Sequence, residues 1–247
     1  MKRLFILLFI CLFGFLSLSA QAFQKAEEAY INGNYDEAIN LYEEALSEGE
    51  SSELYYNLGN AYYKKDEIAS AILNYERALL LAPGNGDIRF NLEMSKTKLT
   101  DRIEPIETFF LVKWYHDLQD VQSSNGWAKT GVLFFVLLIA CLFLFFFSKV
   151  TVFRKISFFA GLVFIVVILF TNIFAFNQKN KLSQKKYAIV FEPAVTVKSS
   201  PRPDGKELFV IHEGIKVYIK STLNDWGEIE LEDGNVGWIP LSMIERI

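Results

Sequence analysis

The sequence predicts a multidomain protein that combines three fold classes: an all-α repeat solenoid, a two-helix transmembrane hairpin and a small all-β barrel. Three observations predict this order. A helical unit of about 34 residues recurs in the first part of the chain. Two long apolar runs without charges come after it, and the last part alternates β-branched segments with turn residues. This order is typical of a membrane-anchored protein that carries a folded module before and after its anchor.

Residues 1–22 have the composition of a secretory signal peptide. Lys2 and Arg3 precede a long apolar run, and Ala20-Gln21-Ala22 supplies the small residues of a cleavage site. The alternative is an uncleaved anchor helix, because the apolar run is slightly long for a signal peptide. Both interpretations export the next segment of the chain, so we expect residues 23–127 outside the cytoplasm.

Residues 23–104 contain a helical unit that is repeated. In its second copy Gly59 and Ala71 are small where two helices cross, and Pro83 ends the second helix. The residues that fit this copy are Tyr55, Leu58, Gly59, Tyr62, Ala71, Tyr75, Ala78 and Pro83. An earlier copy, one residue short of the full period and expected to begin with a truncated helix, contains Ala26, Gly33, Tyr35, Ala38, Tyr42 and Ala45. The half-unit Gly86–Leu99 is expected to cap the stack.

These copies resemble tetratricopeptide repeats. The resemblance implies a solenoid with a concave groove that the first helix of each repeat forms, and its groove positions correspond to Glu53, Tyr56, Asn60, Tyr63 and Lys64. Tyr56, Asn60 and Tyr63 are therefore the predicted partner-binding residues. The alternative is that Tyr63 packs on the next helix while the others are solvated. Tyr56 stands where relatives that bind C-terminal carboxylates carry Lys, so that clamp is absent.

The junction, residues 105–127, is rich in aromatic residues. A stripe at spacings of three and four predicts one amphipathic helix, formed by Ile106, Phe110, Trp114, Leu118 and Val121. Because Trp and Tyr favour the headgroup region of a bilayer, we expect Trp114, Tyr115 and Trp127 at the membrane interface. The alternative is a helix that docks on the repeats.

Residues 128–147 and 157–176 are the predicted transmembrane helices, since each run crosses about 30 Å of hydrocarbon as a helix. The loop 148–156 carries Lys149, Arg154 and Lys155, which the positive-inside rule places in the cytoplasm. Two crossings then return residues 177–186, a linker, to the exported side. The lysines in that linker would favour the cytoplasmic side by the same rule. The signal peptide, however, fixes the first translocation and therefore the topology. The expected location is the bacterial inner membrane, with both modules in the periplasm.

Residues 187–247 predict a compact sheet of about five strands with turns between them. The predicted strands are Ala194–Lys198, Glu207–Ile211, Ile215–Ile219, Gly227–Leu231 and Val236–Ile239. The segment resembles a bacterial SH3-like domain through Gly214, Val217, Trp226, Gly227, Gly237, Trp238 and Ile239. The resemblance implies an aromatic-edged groove for peptidoglycan peptides or protein segments. Trp226 is the candidate ligand residue, whereas Trp238 is expected in the barrel core.

Composition excludes several classes of function. The repeat segment carries 16 acidic and 8 basic residues, whereas residues 121–186 carry 8 basic residues and no acidic one, so basic charge accompanies the apolar runs rather than a nucleic-acid surface. Two Cys, both inside apolar runs, and two His supply no metal site. No catalytic residue, cofactor site or metal site is therefore expected, and the protein is predicted not to be an enzyme.

The order of all segments resembles the BatE-like proteins of the Bat aerotolerance system. That resemblance implies assembly with membrane-anchored von Willebrand A-type proteins and a MoxR-type ATPase in envelope stress or oxygen tolerance. The resulting hypothesis is a non-enzymatic inner-membrane adaptor that presents its exported modules to envelope protein partners. The alternative is a cell-wall-anchoring module whose SH3-like domain binds peptidoglycan.

Overall fold

The computed structural model describes residues 22–247, so the predicted signal peptide lies outside the described residues except for Ala22. The described chain forms two compact units. The first unit contains the residues up to Leu81, Asn85–Glu107 and Lys185–Ile247, and the second contains Ala82–Gly84 and Thr108–Gln184. The first unit is thus built from stretches that are far apart in sequence.

The first unit begins with two helix pairs and one additional helix. They are α1 (22–31), α2 (Tyr35–Glu48), α3 (Ser52–Lys64), α4 (Ile68–Leu81) and α5 (Gly86–Lys96). Each helix from α2 to α5 contacts the one before or after it. The predicted cap, Gly86–Leu99, is this fifth helix and the residues directly after it. The described part of α1 is shorter than α2, and Phe23 near its start packs against the ring of Tyr42.

Two fully buried tyrosines mark equivalent places in the two helix pairs. Tyr42 lies on α2, Tyr75 lies at the same position of the repeat on α4, and each is 1% exposed. Gly59 makes room for the second ring, since a Cβ atom at this position would lie 2.7 Å from the ring of Tyr75. Ala26 occupies the equivalent place in the first pair and is fully buried. The expected helix crossing at Gly59 is therefore present, because only a hydrogen atom fits against the Tyr75 ring.

The turns inside the two helix pairs use the same backbone conformation with different residues. Gly33 has φ +81° between α1 and α2, and Asp66 has φ +64° at the equivalent place between α3 and α4. Glycine adopts this left-handed region freely, whereas Asp does so at a cost that its short polar side chain reduces. Side chains cap the first turns of α3 and α5. The Ser51 side chain accepts from the N–H of Leu54, and the Asn85 side chain accepts from the N–H of Ile88.

Residues 187–247 fold into a seven-stranded antiparallel sheet. The strands are β1 (Tyr187–Val190), β2 (Ala194–Lys198), β3 (Glu207–His212), β4 (Lys216–Leu223), β5 (Trp226–Glu230), β6 (Val236–Pro240) and β7 (Ile244–Arg246). Their spatial order is β3-β2-β6-β5-β4-β1-β7. The five predicted strands correspond to β2 through β6. Strands β1 and β7 were not predicted, because both are too short to display a periodic pattern.

Alternation along the strands separates a buried core from an outer face. Val195, Val197, Ile229 and Ile239 are almost completely buried in this core. On β6 the inward residues are Gly237 and Ile239, so the intervening Trp238 is only half-buried on the outer face. The expectation that Trp238 closes the core is therefore wrong, because successive side chains on a strand point to opposite faces.

The sheet packs on the helical repeats inside the first unit. Leu99 and Ile103, which come after α5, pack against the core of the sheet, and the carboxylate of Asp101 accepts from the backbone N–H of His212 at 2.7 Å. Lys216 on β4 donates to the Glu76 carboxylate on α4 at 2.6 Å. Arg77, the next residue on α4, forms hydrogen bonds with two residues of strand β7, Glu245 and Arg246. Apolar and ionic contacts together join the two modules.

The second unit contains three helices: α6 (Phe110–Gln119), α7 (Ser124–Phe147) and α8 (Thr151–Gln184). Helices α7 and α8 are long and apolar enough to cross a membrane. They pack closely through small residues. Gly131 on α7 is buried against Thr171, and Gly161 on α8 is buried against the side chain of Leu138. Both helices extend beyond the predicted apolar limits. Helix α6 begins at Phe110 and ends at Gln119, so Ile106 and Val121 of the predicted stripe lie outside it. The backbone N–H of Ile106 donates to the Glu232 carbonyl within the first unit.

Candidate protein-binding groove

One surface of the repeats is formed by the first helix of each pair, α1 and α3, together with α5. On α3 the residues Glu53, Tyr56, Asn60 and Tyr63 succeed one another at spacings of three and four, so they share one helical face. This face meets α5, since hydrogen bonds join Asn60 and Tyr56 to Asn91. We call the surface formed by these faces of α1, α3 and α5 the groove.

The centre of the groove is a network of hydrogen bonds. The Nδ2 group of Asn91 donates to Asn60 Oδ1 at 2.9 Å and to the Tyr56 hydroxyl at 3.1 Å. The buried Tyr75 hydroxyl donates to the same Asn60 oxygen at 2.8 Å. Asn60 thus ties α3 to both α4 and α5. Two of the three predicted partner-binding residues therefore also hold the groove together.

The third predicted residue, Tyr63, lies at the C-terminal end of α3. Its ring is half-buried and the ammonium group of Lys98 lies 4.5 Å from the ring centroid. That distance is typical of a cation–π interaction. Lys98 also pairs with Asp66 at 2.6 Å, whereas Lys64 and Glu53 are exposed. The five positions expected in the groove are thus divided between exposed charges and half-buried polar and aromatic side chains.

The sequence-based reasoning missed Asn91 and Tyr30. Asn91 was included only as part of a capping half-unit, yet its amide contacts both Tyr56 and Asn60. Tyr30 on α1 stacks edge-on against Tyr35 at 5.5 Å between ring centroids. Burial raises the pKa of Tyr30, and the nearby Tyr35 and Tyr56 hydroxyls raise it further. Tyr30 occupies the same position in its repeat as Tyr63, and this equivalence could have indicated from the sequence that Tyr30 belongs to the groove face.

Trp226, the candidate ligand residue of the sheet domain, lies half-buried on the outer face of β5. It pairs across the strands with Leu223 on β4 and Pro240 on β6. Farther along this outer face Glu228 lies opposite Trp238, and Glu230 lies opposite Tyr218. Aromatic rings and carboxylates therefore alternate on one side of the sheet.

The three predicted interface residues of the second unit occupy different environments. Trp114 on α6 is 64% exposed. Tyr115 is half-buried and its hydroxyl accepts from Asn177 at 3.1 Å. Trp127 is 8% exposed, meets Phe174 edge-on with 5.0 Å between ring centroids and donates through its indole N–H to the Gln119 carbonyl at 2.8 Å. Tyr115 and Trp127 thus attach α6 and the start of α7 to α8.

Among residues 22–247 no group of three or more His, Cys, Asp or Glu side chains is arranged to hold a metal ion. Cys141 is a free thiol on α7. His212 contacts Asp101 through its Nδ1 atom at 2.8 Å and belongs to the packing of the sheet on the repeats.

Two family models match the helical part of the chain, and both describe the tetratricopeptide repeat. One covers residues 22–53 and the other covers residues 52–85. No curated protein matches the sequence. The matched ranges coincide with α1–α2 and α3–α4, and the groove lies on the helices that begin each match. Residues 22–85 are therefore two tetratricopeptide repeats, a non-catalytic module of protein–protein interaction.

Proposed function

We propose that the protein is a non-enzymatic inner-membrane scaffold whose repeat groove and sheet domain bind envelope protein partners. The observation that carries this proposal is the groove itself, where Tyr56, Tyr63 and Asn91 offer rings and amide groups that are half-exposed. Rings of this kind are common in protein interfaces because they bury large areas at small cost in rotamer entropy. A membrane anchor then raises the effective concentration of the groove near membrane-bound partners.

We infer that α7 and α8 form a transmembrane hairpin. Their length and hydropathy support this, and Lys149, Arg154 and Lys155 at or beside the turn between them support a cytoplasmic turn. A compact unit lies on one side of a bilayer. The first unit contains segments that come before α7 and a segment that comes after α8. An even number of membrane crossings puts all of these segments on the same side of the bilayer. Export of the repeats then puts both modules in the periplasm.

The same inference assigns α6 to the membrane interface. Phe109, Phe110, Leu111 and Trp114 are each more than half exposed although they are large and apolar. Exposed apolar residues this dense are unusual on a soluble surface and common on interfacial helices. Tyr115 and Gln119 attach α6 to α8, while these four exposed side chains remain available to the headgroup region.

We further infer that the sheet domain is an SH3-like barrel and that the protein acts in an aerotolerance or envelope-stress complex of the BatE type. The residues of the SH3-like motif support the inferred barrel, since Gly227 and Gly237 lie where neighbouring side chains leave no room for a Cβ atom. The order of repeats, apolar hairpin and sheet supports the second. The expected partners are von Willebrand A-type Bat proteins in the same membrane.

Photo-cross-linking in intact cells tests the scaffold proposal. The photoreactive residue p-benzoylphenylalanine is introduced by Tyr63→p-benzoylphenylalanine and, separately, by Phe90→p-benzoylphenylalanine. Phe90 is an exposed residue of α5 at the repeat position that corresponds to Tyr56. The matched control is Glu44→p-benzoylphenylalanine, because Glu44 is exposed on α2, outside the groove. We expect the same envelope or membrane protein to be linked at both groove positions and not at the control. Identical products at all three positions, or none at any, would contradict a scaffold that works through the groove.

The inferred topology has its own test. A phosphatase reporter that is active only after export is fused after Ile247, and separately inserted between Ser148 and Val150. We expect activity at the C-terminus and none at the turn. The reverse result, or activity at both sites, would contradict the exported hairpin.

The second candidate function is cell-wall anchoring, and the outer face of the sheet favours it. Trp226, Trp238 and Tyr218 lie there with Glu228 and Glu230 between them, a combination suited to peptides that carry both ammonium and apolar groups. Co-sedimentation of the detergent-solubilised full chain with purified sacculi tests this function. Binding that Trp226→Ala abolishes, and that the exposed-surface variant Lys206→Ala retains, would favour wall anchoring over the scaffold.

A further inference from the structure

The seven-stranded sheet has two edge strands, β3 and β7, because its spatial order begins with one and ends with the other. On an edge strand, alternate residues direct their N–H and C=O groups away from the sheet. At β7 these groups meet the repeats: the Arg246 carbonyl accepts from the guanidinium group of Arg77 on α4 at 2.8 Å, and Glu245 pairs with the same guanidinium. Helix α4 thus covers the β7 edge.

Hydrogen bonds at the two ends of β3 show which of its residues face the other edge. Before the strand, the N–H of Ser199 donates to the Lys206 carbonyl, which puts the odd-numbered residues of β2 in backbone pairing with β3. At the end of the strand, the N–H of His212 donates to the Asp101 carboxylate at 2.7 Å rather than to β2. Val210 lies opposite an even-numbered residue of β2 and two residues before His212. Both observations therefore give Val210 an N–H and a C=O that point to the free edge.

The β3 edge also carries exposed apolar side chains. Leu208 is 45% exposed and Val210 is 49% exposed. Leu208 is the extra residue of a β-bulge opposite β2, so the regular part of the edge follows it. The four residues 208–211 include no charged residue and no proline, the residue types that commonly keep an edge strand from pairing, whereas two of the three residues of β7 are charged. Free backbone groups beside apolar side chains are a template for another strand.

A second copy of β3 fits this edge poorly. If two β3 strands paired antiparallel about Val210, the second copy would extend to the place opposite His212, where the Asp101 carboxylate already accepts the N–H. The same pairing would put Glu207 of one copy opposite Glu213 of the other, and like charges directly opposite each other are unfavourable. A short strand of a different polypeptide can end beside Val210 and avoids both conflicts.

We infer that β3 binds an extended segment of a partner polypeptide by strand addition, with backbone hydrogen bonds to Val210 and apolar partner side chains against Leu208 and Val210. This inference rests on the proposed function, since it names the surface through which the sheet domain of the scaffold contacts a partner. Backbone pairing supplies the affinity, and the exposed apolar side chains select β-branched or aromatic residues at alternate positions of the segment. The site shares no residue with the groove.

A random heptapeptide library displayed on phage tests the inference, with the full chain in lipid nanodiscs as bait. We expect the selected peptides to carry β-branched or aromatic residues at alternate positions. The strongest is then synthesised, and its Kd is measured by fluorescence anisotropy for the wild type and for Val210→Pro. Proline removes the N–H that points to the free edge and leaves the hydrogen bonds to β2 in place, so we expect binding that is weaker by about tenfold.

A set of peptides that are N-methylated at one residue each keeps the inference testable if Val210→Pro destabilises the sheet. We expect binding to fall at every second residue of the peptide, because only alternate N–H groups of an added strand point to β3. Equal tolerance of N-methylation at all positions would overturn the inference, since it would show docking through side chains alone.

The matched controls are Val210→Thr, which retains the N–H, and Leu223→Thr, which removes an apolar side chain that is 52% exposed at the end of β4. We expect both to bind the peptide within about threefold of the wild type. Equal weakening by Leu223→Thr would overturn the inference, since it would show unspecific apolar binding.

Three further outcomes would overturn the inference and leave the groove cross-links, and with them the scaffold, unaffected. The first is a library that gives no peptide sensitive to Val210→Pro. The second is a set of peptides that tolerate Val210→Pro and compete with the groove cross-links. The third is dimerisation of the purified chain that Val210→Pro abolishes, measured by sedimentation velocity, because it would make a second copy the occupant of the edge.

Discussion

The two tetratricopeptide repeats share one architecture but differ in their surroundings. The second repeat is enclosed: Asn60 bonds to α4 and α5, and Glu76 on α4 bonds to the sheet. The equivalent residues of the first repeat are Glu27 and Glu43, and both are exposed. A residue that joins helices or modules in one copy is thus exposed in the other. The comparison teaches that position in a repeat does not fix a role, because the neighbours of the repeat decide it.

The largest expected effect concerns the paired core tyrosines. Tyr75→Ala should lower the free energy of unfolding of the first unit by about 3–5 kcal/mol, as truncation of a buried aromatic residue does. Tyr42→Ala should cost less, because Tyr75 also carries the hydrogen bond to Asn60. Pulse proteolysis of the full chain in urea measures both values. Equal costs would indicate that the Asn60 network adds nothing to the second repeat.

The next effect concerns the helix crossing. Gly59→Ala puts a Cβ atom 2.7 Å from the Tyr75 ring, and overpacking of this kind costs about 1–3 kcal/mol. The reverse change at the equivalent position, Ala26→Gly, should cost about 1 kcal/mol through helix propensity. The urea midpoint of each variant measures the difference. A stabilising Gly59→Ala would contradict the close approach of α3 to Tyr75.

A smaller effect distinguishes Glu76 in the second repeat from its equivalent in the first repeat, Glu43. Lys216→Met removes the cation that pairs with Glu76, whose side chain is 9% exposed, and should cost about 2 kcal/mol because a carboxylate remains nearly buried. Tyr62→Phe removes the donor to the exposed Glu43 and should cost below about 1 kcal/mol. Hydrogen exchange of α4 and β4 should increase in the first variant alone. An increase in both variants would remove the distinction between the repeats.

The smallest effect lies in the turns. Asp66→Gly gives a residue with φ +64° the freedom that Gly33 has in the first repeat, and relief of this backbone cost should raise stability by up to about 1 kcal/mol. The lost ion pair with Lys98 is exposed and offsets little of that gain. Thermal unfolding of the full chain measures the change. A lower melting temperature would show that the Asp66–Lys98 pair matters more than backbone strain.

Much of the fold was predictable because its signals are local. The period of small residues predicted both helix pairs, and apolar runs predicted the central parts of α7 and α8. The strands β2 through β6 could be assigned from alternation and turn residues. Strands β1 and β7 were missed because they are short and depend on partners far away in sequence, Lys216 to Tyr218 for β1 and Ala188 to Val190 for β7. The packing of Asp101 on His212 has no sequence signature at all.

The groove was predictable only in part. Position within the repeat predicted Tyr56, Asn60 and Tyr63 as partner-binding residues, but it did not reveal that Asn60 joins α3 to α4 and α5. The role of Asn91 became visible only through its hydrogen bonds to Tyr56 and Asn60, and that of Tyr30 only through its ring contact with Tyr35. Pattern reasoning locates a face, whereas the division of that face into framework and free surface depends on distances between helices.

The first unit is built from segments that are far apart in the chain, so the ribosome synthesises its parts at different times. Ile72, Glu76 and Leu99 emerge well before Gly214 and Lys216, the residues of the sheet that cover or pair with them. At a synthesis rate of about 5–20 residues per second, the interval is on the order of ten seconds. During that interval the repeats are present without their sheet. The unfinished protein therefore exposes an apolar and acidic surface of the repeats until the last strand has been synthesised.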